Sequence, residues 1–230
     1  WVDAEDHDWD EVASCTVLDP GFQPHTITLP KPEGAGERSV AALTLDDRVE
    51  HSLDELANAL GETEFSEALM ATLRSAYRPG VGMADAFARW LETLLGPYGL
   101  VVYDSSDPAA KPLVADLFAR ELSAAGRTAT LAKAAGEVLT ARGHQPQVVP
   151  QPDSIALFQL DAGIDGARRP IRRQGDHFVA GEATFTVEAL TEQARTSPNL
   201  FSPNVLLRPL VQDTLFPTIC YVAGPSELAY

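Results

Sequence analysis

The sequence predicts an α/β protein built on a parallel β-sheet core, and three observations support this. With 230 residues, 45% of them hydrophobic, the chain can bury the core of one large domain or two small ones. An apolar helical stripe over 83–95 is followed by Gly96-Pro97 and the apolar run Leu100–Tyr103, the order of half a parallel βαβ unit. Three apolar runs each lead into a loop that contains polar residues, as at the carboxyl ends of parallel strands.

The first 82 residues are predicted to hold short strands and two helices. Trp1-Val2 is interpreted as the end of a strand, 25–29 alternates as a strand does, and 39–45 is a further apolar run. A capping box formed by Ser52 and Glu55 predicts a helix that begins at Ser52 and ends at Gly61. Apolar residues four apart predict a second helix over 65–77, and 78–82 is a turn.

The rest of the chain is predicted to alternate helices, strands and one small antiparallel hairpin. Pro112 suits the first turn of a helix, and Gly175-Asp176 is typical of a hairpin turn. The predicted elements are a helix from Pro112, a helix over 128–141, strands over 147–149 and 155–160, a hairpin of 168–173 with 176–179, a short helix from Thr186, a helix from Ser202-Pro203 to Leu215, a strand over 218–222 and a helix from Gly224-Pro225.

The charge is strongly negative and unevenly spread. The net charge is −16, and residues 1–70 hold 17 acids and 3 bases. Such a chain lacks the basic surface needed to bind nucleic acid or an anionic membrane. It has no apolar run of about 20 residues that would span a bilayer and no signal peptide. Two cysteines far apart, Cys15 and Cys220, favour a reducing, cytoplasmic location; Cys220 is expected to be buried.

The polar loop after Trp1-Val2 is the first candidate site. Asp6 and Asp8 flank His7, and a histidine among carboxylates can act as a general acid or base near neutral pH. The same three residues could instead hold a divalent metal ion. They could also form a solvated acidic loop that caps a helix near Trp9.

Two further polar loops are weaker candidates. Asp104, Ser105 and Ser106 follow the run 100–103, and Gly224–Glu227 follows the run 218–222; ordinary helix capping is the favoured explanation of both. If the strands are parallel, all three loops should share one cleft. The chain has no Gly-rich dinucleotide loop, no phosphate-binding loop and no Gly-x-Ser-x-Gly sequence. The arginines at 168, 169, 172 and 173 are expected on a solvated sheet edge.

Three segments together resemble one family. The stretch from Phe201 to Tyr230, which contains Ser-Pro-Asn-Val-Leu-Leu-Arg-Pro-Leu, closely resembles the cysteine-adding enzymes of bacillithiol biosynthesis, also called cysteine ligases. Trp1–Val12, with Glu-Asp-His-Asp, looks like the histidine-acid loop of that family. Phe87–Pro108 looks like its helix, strand and Asp-Ser loop. These matches come in the family's order and span nearly the whole chain.

The resemblance implies a Rossmann-like core with inserted connecting segments. On that basis the core occupies 1–145 with an acidic inserted segment at about 25–80, a connecting subdomain with a β-hairpin occupies 146–200, and 201–230 returns to the core. The family places a Gly-Gln-Gln-type loop before the histidine-acid segment and a coiled coil after residue 230. We therefore expect the chain to be a piece of a longer protein that forms a homodimer through the coiled coil.

The resemblance also implies the reaction and the site. The family is thought to add L-cysteine to the amino group of glucosaminyl-malate, with ATP as the expected activator. His7, Asp6 and Asp8 are assigned to catalysis, and Asp104, Ser105 and Ser106 to nucleotide binding. The residues assigned to substrate binding are Asn204, Arg208, Gln212, Asp213, Ser226 and Glu227.

Alternatives to these assignments stay open at the level of sequence. Asn204, Arg208 and Gln212 are predicted to share one helix face that could reach a carboxylate or phosphate, but Arg208 could instead form an ordinary surface ion pair. The whole chain could also be a metal-dependent hydrolase that uses the Asp-His-Asp loop. A third hypothesis is a non-catalytic module that binds a nucleotide or a sugar.

Overall fold

The computed structural model of the chain describes residues 1–161, 166–222 and 224. These residues form two compact units, the first comprising 1–107 with Gly166 and Ala167 and the second comprising 108–161, 168–222 and 224. Each unit has its own buried core. None of the helices in the described residues is both long enough and apolar enough to cross a membrane.

The first unit packs a β-hairpin against three helices. Within the described residues its elements are α1 (Trp9–Val12), β1 (Ser14–Leu18), β2 (Pro24–Thr28), α2 (Arg48–Leu60), α3 (Ser66–Ala76) and α4 (Met83–Leu95). Strands β1 and β2 pair antiparallel, with Ser14 opposite Thr28 and Leu18 opposite Pro24. The apolar faces of the helices close over Trp9, Leu43, Val49 and Met83, which are nearly inaccessible to solvent.

The second unit packs helices on an antiparallel sheet. Its described elements are α5 (Lys111–Ser123), α6 (Arg127–Ala141), β3 (Ser154–Leu160), β4 (Arg168–Gln174), β5 (His177–Ala180), β6 (Ala183–Thr186), α7 (Val187–Thr196), β7 (Phe201–Pro203) and α8 (Arg208–Leu215). The sheet order is β6-β5-β4-β3-β7. Phe118 of α5 packs its ring 6.4 Å from that of Phe201 of β7, and both side chains are fully buried.

The mixed α/β composition is confirmed, but the prediction of a parallel-sheet core holds only in part. All neighbouring strands of the five-stranded sheet pair antiparallel. Among the described residues, the parallel pairing reduces to one bridge between Val2 and Asp104. Parallel sheets gain their stability from burial on both faces, and in this region Val101 is 83% exposed. The run 100–103 therefore forms no extended strand.

Several element predictions are confirmed, among them the helices over 65–77, 83–95 and 128–141, the strand over 155–160 and the hairpin turning at Gly175. Helix α7 begins as predicted, because the Thr186 side chain accepts a hydrogen bond from the Ala189 N–H at 3.1 Å. The described domain boundary falls after residue 107. The predicted boundaries near 145 and 200 stay predictions.

Other element predictions are wrong, and for two of them a distant contact overrides the local pattern. The helix assigned to Ser52 begins at Arg48 instead, and the Ser52 hydroxyl donates to the Thr28 carbonyl at 3.1 Å. Phe201–Pro203 is a strand, so the helix expected from Ser202 begins only at Arg208. The runs 147–149 and 218–222 form no strand.

Two predictions about surface and burial are also wrong. Cys220 is exposed rather than buried. The arginine-rich strand β4 lies in the middle of the sheet, not at its edge. Arg168 places its guanidinium 4.2 Å from the centre of the Phe158 ring and donates to the Pro203 carbonyl at 2.7 Å, which holds it against neighbouring strands.

Candidate functional site

Two of the three polar loops meet at one edge of the first unit. The Val2 N–H donates to the Tyr103 carbonyl at 2.8 Å, and the Ser105 N–H donates to the Val2 carbonyl at 3.0 Å. This parallel bridge carries the loop after Val2 and the loop after Tyr103 to the same side. Ser105 Oγ then lies 3.4 Å from Asp3 Oδ1 as a hydrogen-bond donor. The expected convergence is thus confirmed for these two loops.

The Asp6-His7-Asp8 segment is folded back on itself by its own carboxylates. Asp6 Oδ1 accepts the N–H of His7 at 2.6 Å and the N–H of Asp8 at 3.2 Å. The same oxygen lies 3.4 Å from His7 Nδ1. The His7 side chain is about half exposed, at 51%. The geometry therefore leaves the imidazole open to solvent while one ring nitrogen faces a carboxylate.

Asp8 caps helix α1, which is one of the roles that its position in the sequence predicts. Its side chain accepts the N–H of Asp10 at 3.2 Å and so caps helix α1 at its N-terminus. Trp9, the first residue of that helix, is buried and donates from Nε1 to the Leu29 carbonyl at 3.2 Å. Capping and a chemical role are compatible, because a capping carboxylate keeps its charge at the protein surface.

A buried acid beside this loop was not singled out in the sequence. Glu5 is only 3% exposed, and it is one of the groups that act on Tyr103. Burial, followed by the negative charges of Glu5, Asp107 and Asp104, raises the pKa of Tyr103 to about 12. The loop therefore creates a strongly negative environment. Glu5 is one of six acids in nine residues, and no local pattern distinguishes it from the others.

The Asp104-Ser105-Ser106 loop does not form a phosphate cradle. Its backbone N–H groups are already used: that of Ser105 donates to Val2, that of Ser106 to the Asp104 carboxylate at 2.7 Å and that of Asp107 to the Asp104 carbonyl at 3.1 Å. The Ser106 hydroxyl also donates to Asp104, at 2.7 Å. Phosphate sites need free donors and little negative charge, so these residues do not fit a nucleotide's phosphates.

An apolar cavity of about 900 Å³ adjoins the loop within the first unit. Asp6 and Asp8 contribute to its lining, whereas most of its wall comes from the aliphatic and aromatic side chains of β1, β2 and the three long helices. No group of three or more His, Cys, Asp or Glu side chains is arranged to hold a metal ion within the described part of the chain. The metal-hydrolase hypothesis therefore gains no geometric support.

The second unit holds a separate candidate cluster around Arg208. The Arg208 side chain is 91% buried, donates to Tyr221 Oη at 2.6 Å and to Gln212 Oε1 at 3.3 Å, and lies 5.8 Å from the centre of the Tyr221 ring. Arg208 and Gln212 therefore share a helix face, as their spacing predicts. Tyr221 was not predicted as part of this cluster, because its contact with Arg208 depends on how the chain returns after α8.

Two other residues assigned to substrate binding, Asn204 and Asp213, are not part of this described cluster. Asn204 precedes α8, and its side chain accepts the N–H groups of Leu206 at 3.0 Å and Leu207 at 3.2 Å, so it shapes the turn into the helix. Asp213 is exposed. Ser226 and Glu227 lie outside the described residues. The functional roles of all four stay predictions.

Two buried polar residues of the second unit were also missed. Lys111, at the start of α5, is 4% exposed and donates from Nζ to the Phe201 carbonyl at 3.0 Å. Ser202 is fully buried in β7, and its hydroxyl has no partner among the described residues. A lysine before a helix-starting proline carries no local signal of burial. It is buried because α5 packs beside the edge strand β7.

Comparison with known proteins gives one consistent result. The family model described as "Bacillithiol biosynthesis BshC, N-terminal Rossmann-like domain" matches residues 1–230. Proteins named "Putative cysteine ligase BshC" from Salinibacter ruber and Koribacter versatilis are 36% and 35% identical to the whole chain, which covers 42% of each. One from Chlorobaculum tepidum is 33% identical and 40% covered. The chain thus spans about two fifths of the length of these relatives.

Proposed function

Because this chain belongs to the BshC family of bacillithiol biosynthesis, we propose that the protein acts as a cysteine ligase, which joins L-cysteine to the amino group of glucosaminyl-malate. The observation that carries the proposal is the family match over the full chain. The convergence of the histidine-acid loop and the Asp-Ser loop at one edge supports it. The acidic surface of this edge would attract an amine rather than a carboxylate or a phosphate.

Amide formation needs an activated carboxyl group, a free amine and a base. We assign the base to His7, whose Nδ1 faces Asp6 at 3.4 Å, so that Nε2 can take the proton the amine loses as its nitrogen attacks the acyl carbon. The activating group that ATP would place on the carboxyl leaves with the electron pair of the acyl C–O bond, which breaks as the C–N bond forms. Asp8 would hold the amine in its ammonium form nearby until it is deprotonated.

ATP would supply the activation of the cysteine carboxyl group. The donors of the Asp104 loop are already used, so we do not place the nucleotide's phosphates there. In the second unit, the buried guanidinium of Arg208, oriented by Gln212 and Tyr221, suits an anionic group such as a carboxylate or phosphate. We propose this anion-binding role for Arg208 independently of the role of His7.

The test is turnover by the complete protein. Purified protein is incubated with L-cysteine, glucosaminyl-malate and ATP, and the thiol product is measured by mass spectrometry after thiol labelling. His7→Gln should lower turnover at least tenfold. His51→Gln is the matched control, because His51 is also exposed and also lies beside a carboxylate, Glu55, at 3.5 Å.

The outcomes separate the function from the site. No product with any nucleoside triphosphate would overturn the ligase assignment. Product formation at the normal rate in His7→Gln would keep the ligase and remove His7 from the mechanism. The homodimer implied by the resemblance and the cytoplasmic location favoured by the two cysteines stay predictions, and light scattering on the complete protein tests the dimer.

A further inference from the structure

The cavity of the first unit has the size and the wall of a small-molecule site. Its volume of about 900 Å³ falls in the range of ligand-binding clefts, and it is enclosed by α2, α3 and α4 on one side and by the β1–β2 hairpin on another. Leu53, Leu56 and Leu73 represent the aliphatic wall, and Phe87 and Trp90 the aromatic wall. Well-packed cores contain few voids larger than a water molecule, so this space is unlike ordinary core packing.

The charged residues that line this cavity are all acids. They are Asp3, Asp6, Asp8 and Glu11, and no lysine or arginine is among the described lining residues. Asp3, Asp8 and Glu11 are exposed, whereas Leu53 and Leu73 of the wall are buried. The carboxylates therefore form the mouth, and the apolar side chains form the interior. A ligand that fits would carry its positive charge at one end.

We propose that this cavity binds a small organic cation with an apolar body and an ammonium group at the acidic mouth. The site goes beyond the ligase reaction. The mouth shares Asp6 and Asp8 with the proposed ligase site, but neither L-cysteine nor glucosaminyl-malate has an apolar body that would fill the interior. The volume matches one drug-sized molecule, and the acidic mouth selects the charge of its head group.

The probe for this proposal is 3-phenoxypropylamine, compared with two molecules of matched body. 3-Phenoxypropanol has a neutral head group and 4-phenoxybutanoate an anionic one. Binding to the complete protein is measured by isothermal titration calorimetry at low salt. We expect the amine to bind more tightly than the alcohol by about two- to fivefold, as for exposed charge pairs, and the carboxylate to bind most weakly.

Matched variants locate the binding. Glu11→Gln should reduce the preference for the amine over the alcohol, whereas Glu50→Gln, an equal charge change on an exposed part of α2 outside the lining, should not. Leu56→Trp should fill the cavity and abolish binding of amine and alcohol alike. Leu94→Trp, at an exposed position of α4 outside the lining, should leave both unchanged. Circular dichroism checks that each variant is folded.

Three results would overturn the proposal. One is that none of the probes binds the complete protein. Another is equal affinity for the amine and the carboxylate. The third is unchanged binding in a folded Leu56→Trp protein. Ligase turnover is measured in parallel, and because neither Glu11 nor Leu56 belongs to the proposed catalytic residues, its loss or retention tests the ligase proposal separately.

Discussion

His7 in the first unit and Arg208 in the second are the two leading candidates for chemistry, and the structure holds them in opposite ways. His7 is half exposed and is positioned by its direct sequence neighbours, chiefly Asp6. Arg208 is 91% buried and is positioned by Tyr221, thirteen residues away, and by Gln212. One site is local and open, and the other depends on tertiary packing.

Because of this difference, substitutions at the two residues should affect activity and stability in different combinations. Removing an exposed side chain breaks few contacts, so its loss affects chemistry alone. Removing a buried, hydrogen-bonded guanidinium leaves a cavity and at least one polar partner without its donor. Activity and stability should therefore change together at Arg208 and independently at His7.

The largest effect is expected for Arg208→Ala. We expect turnover to fall at least tenfold and the free energy of unfolding to fall by about 3 kcal/mol, because hydrogen bonds to a buried charge and the packing of its stem are both lost. Turnover of the complete protein and urea unfolding measure the two. Tyr221→Phe is the control that removes only one acceptor and should cost about 1 kcal/mol. Equal stability of Arg208→Ala and the wild type would contradict the tertiary role.

The second-largest effect is expected for His7→Ala, which should lower turnover without lowering stability. Turnover should again fall at least tenfold, whereas the free energy of unfolding should change by less than about 0.5 kcal/mol, as for surface substitutions in general. The same two measurements apply. A large loss of stability would show that His7 is a structural residue, and the contrast with Arg208 would disappear.

A smaller effect separates the two roles of Asp8. Asp8→Ala removes the cap of α1 and should lower the free energy of unfolding by about 1 kcal/mol, whereas Asp8→Asn keeps a capping oxygen and should cost little. If the carboxylate also serves the amine, both variants should lose turnover. Thermal or urea unfolding of both variants beside turnover tests this. Full activity in Asp8→Asn would reduce Asp8 to a cap.

Local patterns in the sequence predicted the elements that depend on local interactions. The stripe over 83–95 gave the bounds of α4, because spacings of three and four define an amphipathic helix without reference to the rest of the chain. The turn at Gly175, where φ is +62°, also depends on one residue's conformational freedom. The Asp6-His7-Asp8 segment belongs to the same class, since its hydrogen bonds join adjacent residues.

Sequence patterns failed where a distant contact decides the structure. Ser52 and Glu55 match a capping box, yet the Ser52 hydroxyl is satisfied by Thr28, 24 residues away. Phe201–Pro203 lies next to a helix but pairs with β3, whose partner residues are more than 40 positions earlier. Glu5, Lys111 and Tyr221 are partners created by packing, and no spacing rule applied to one sequence identifies such partners.

The smallest effect concerns the negative charge around the loop that carries His7, and it is measured through the pKa of Tyr103. The pKa of Tyr103 is raised to about 12 by burial first and then by Glu5, Asp107 and Asp104. Because the pKa of Tyr103 is higher in the folded chain than in the unfolded chain, where it is 10, the unfolded chain loses this proton first. The resulting contribution to stability is fully present below pH 10 and is lost as the pH rises through about 12. Glu5→Gln should lower the pKa of Tyr103 in an absorbance titration of tyrosinate. Tyr77, whose pKa of about 12 arises from burial and Cys15, should titrate unchanged and serves as the internal control. If both tyrosines shift together, the variant has loosened the whole unit, and the negative field at the open site is not the cause.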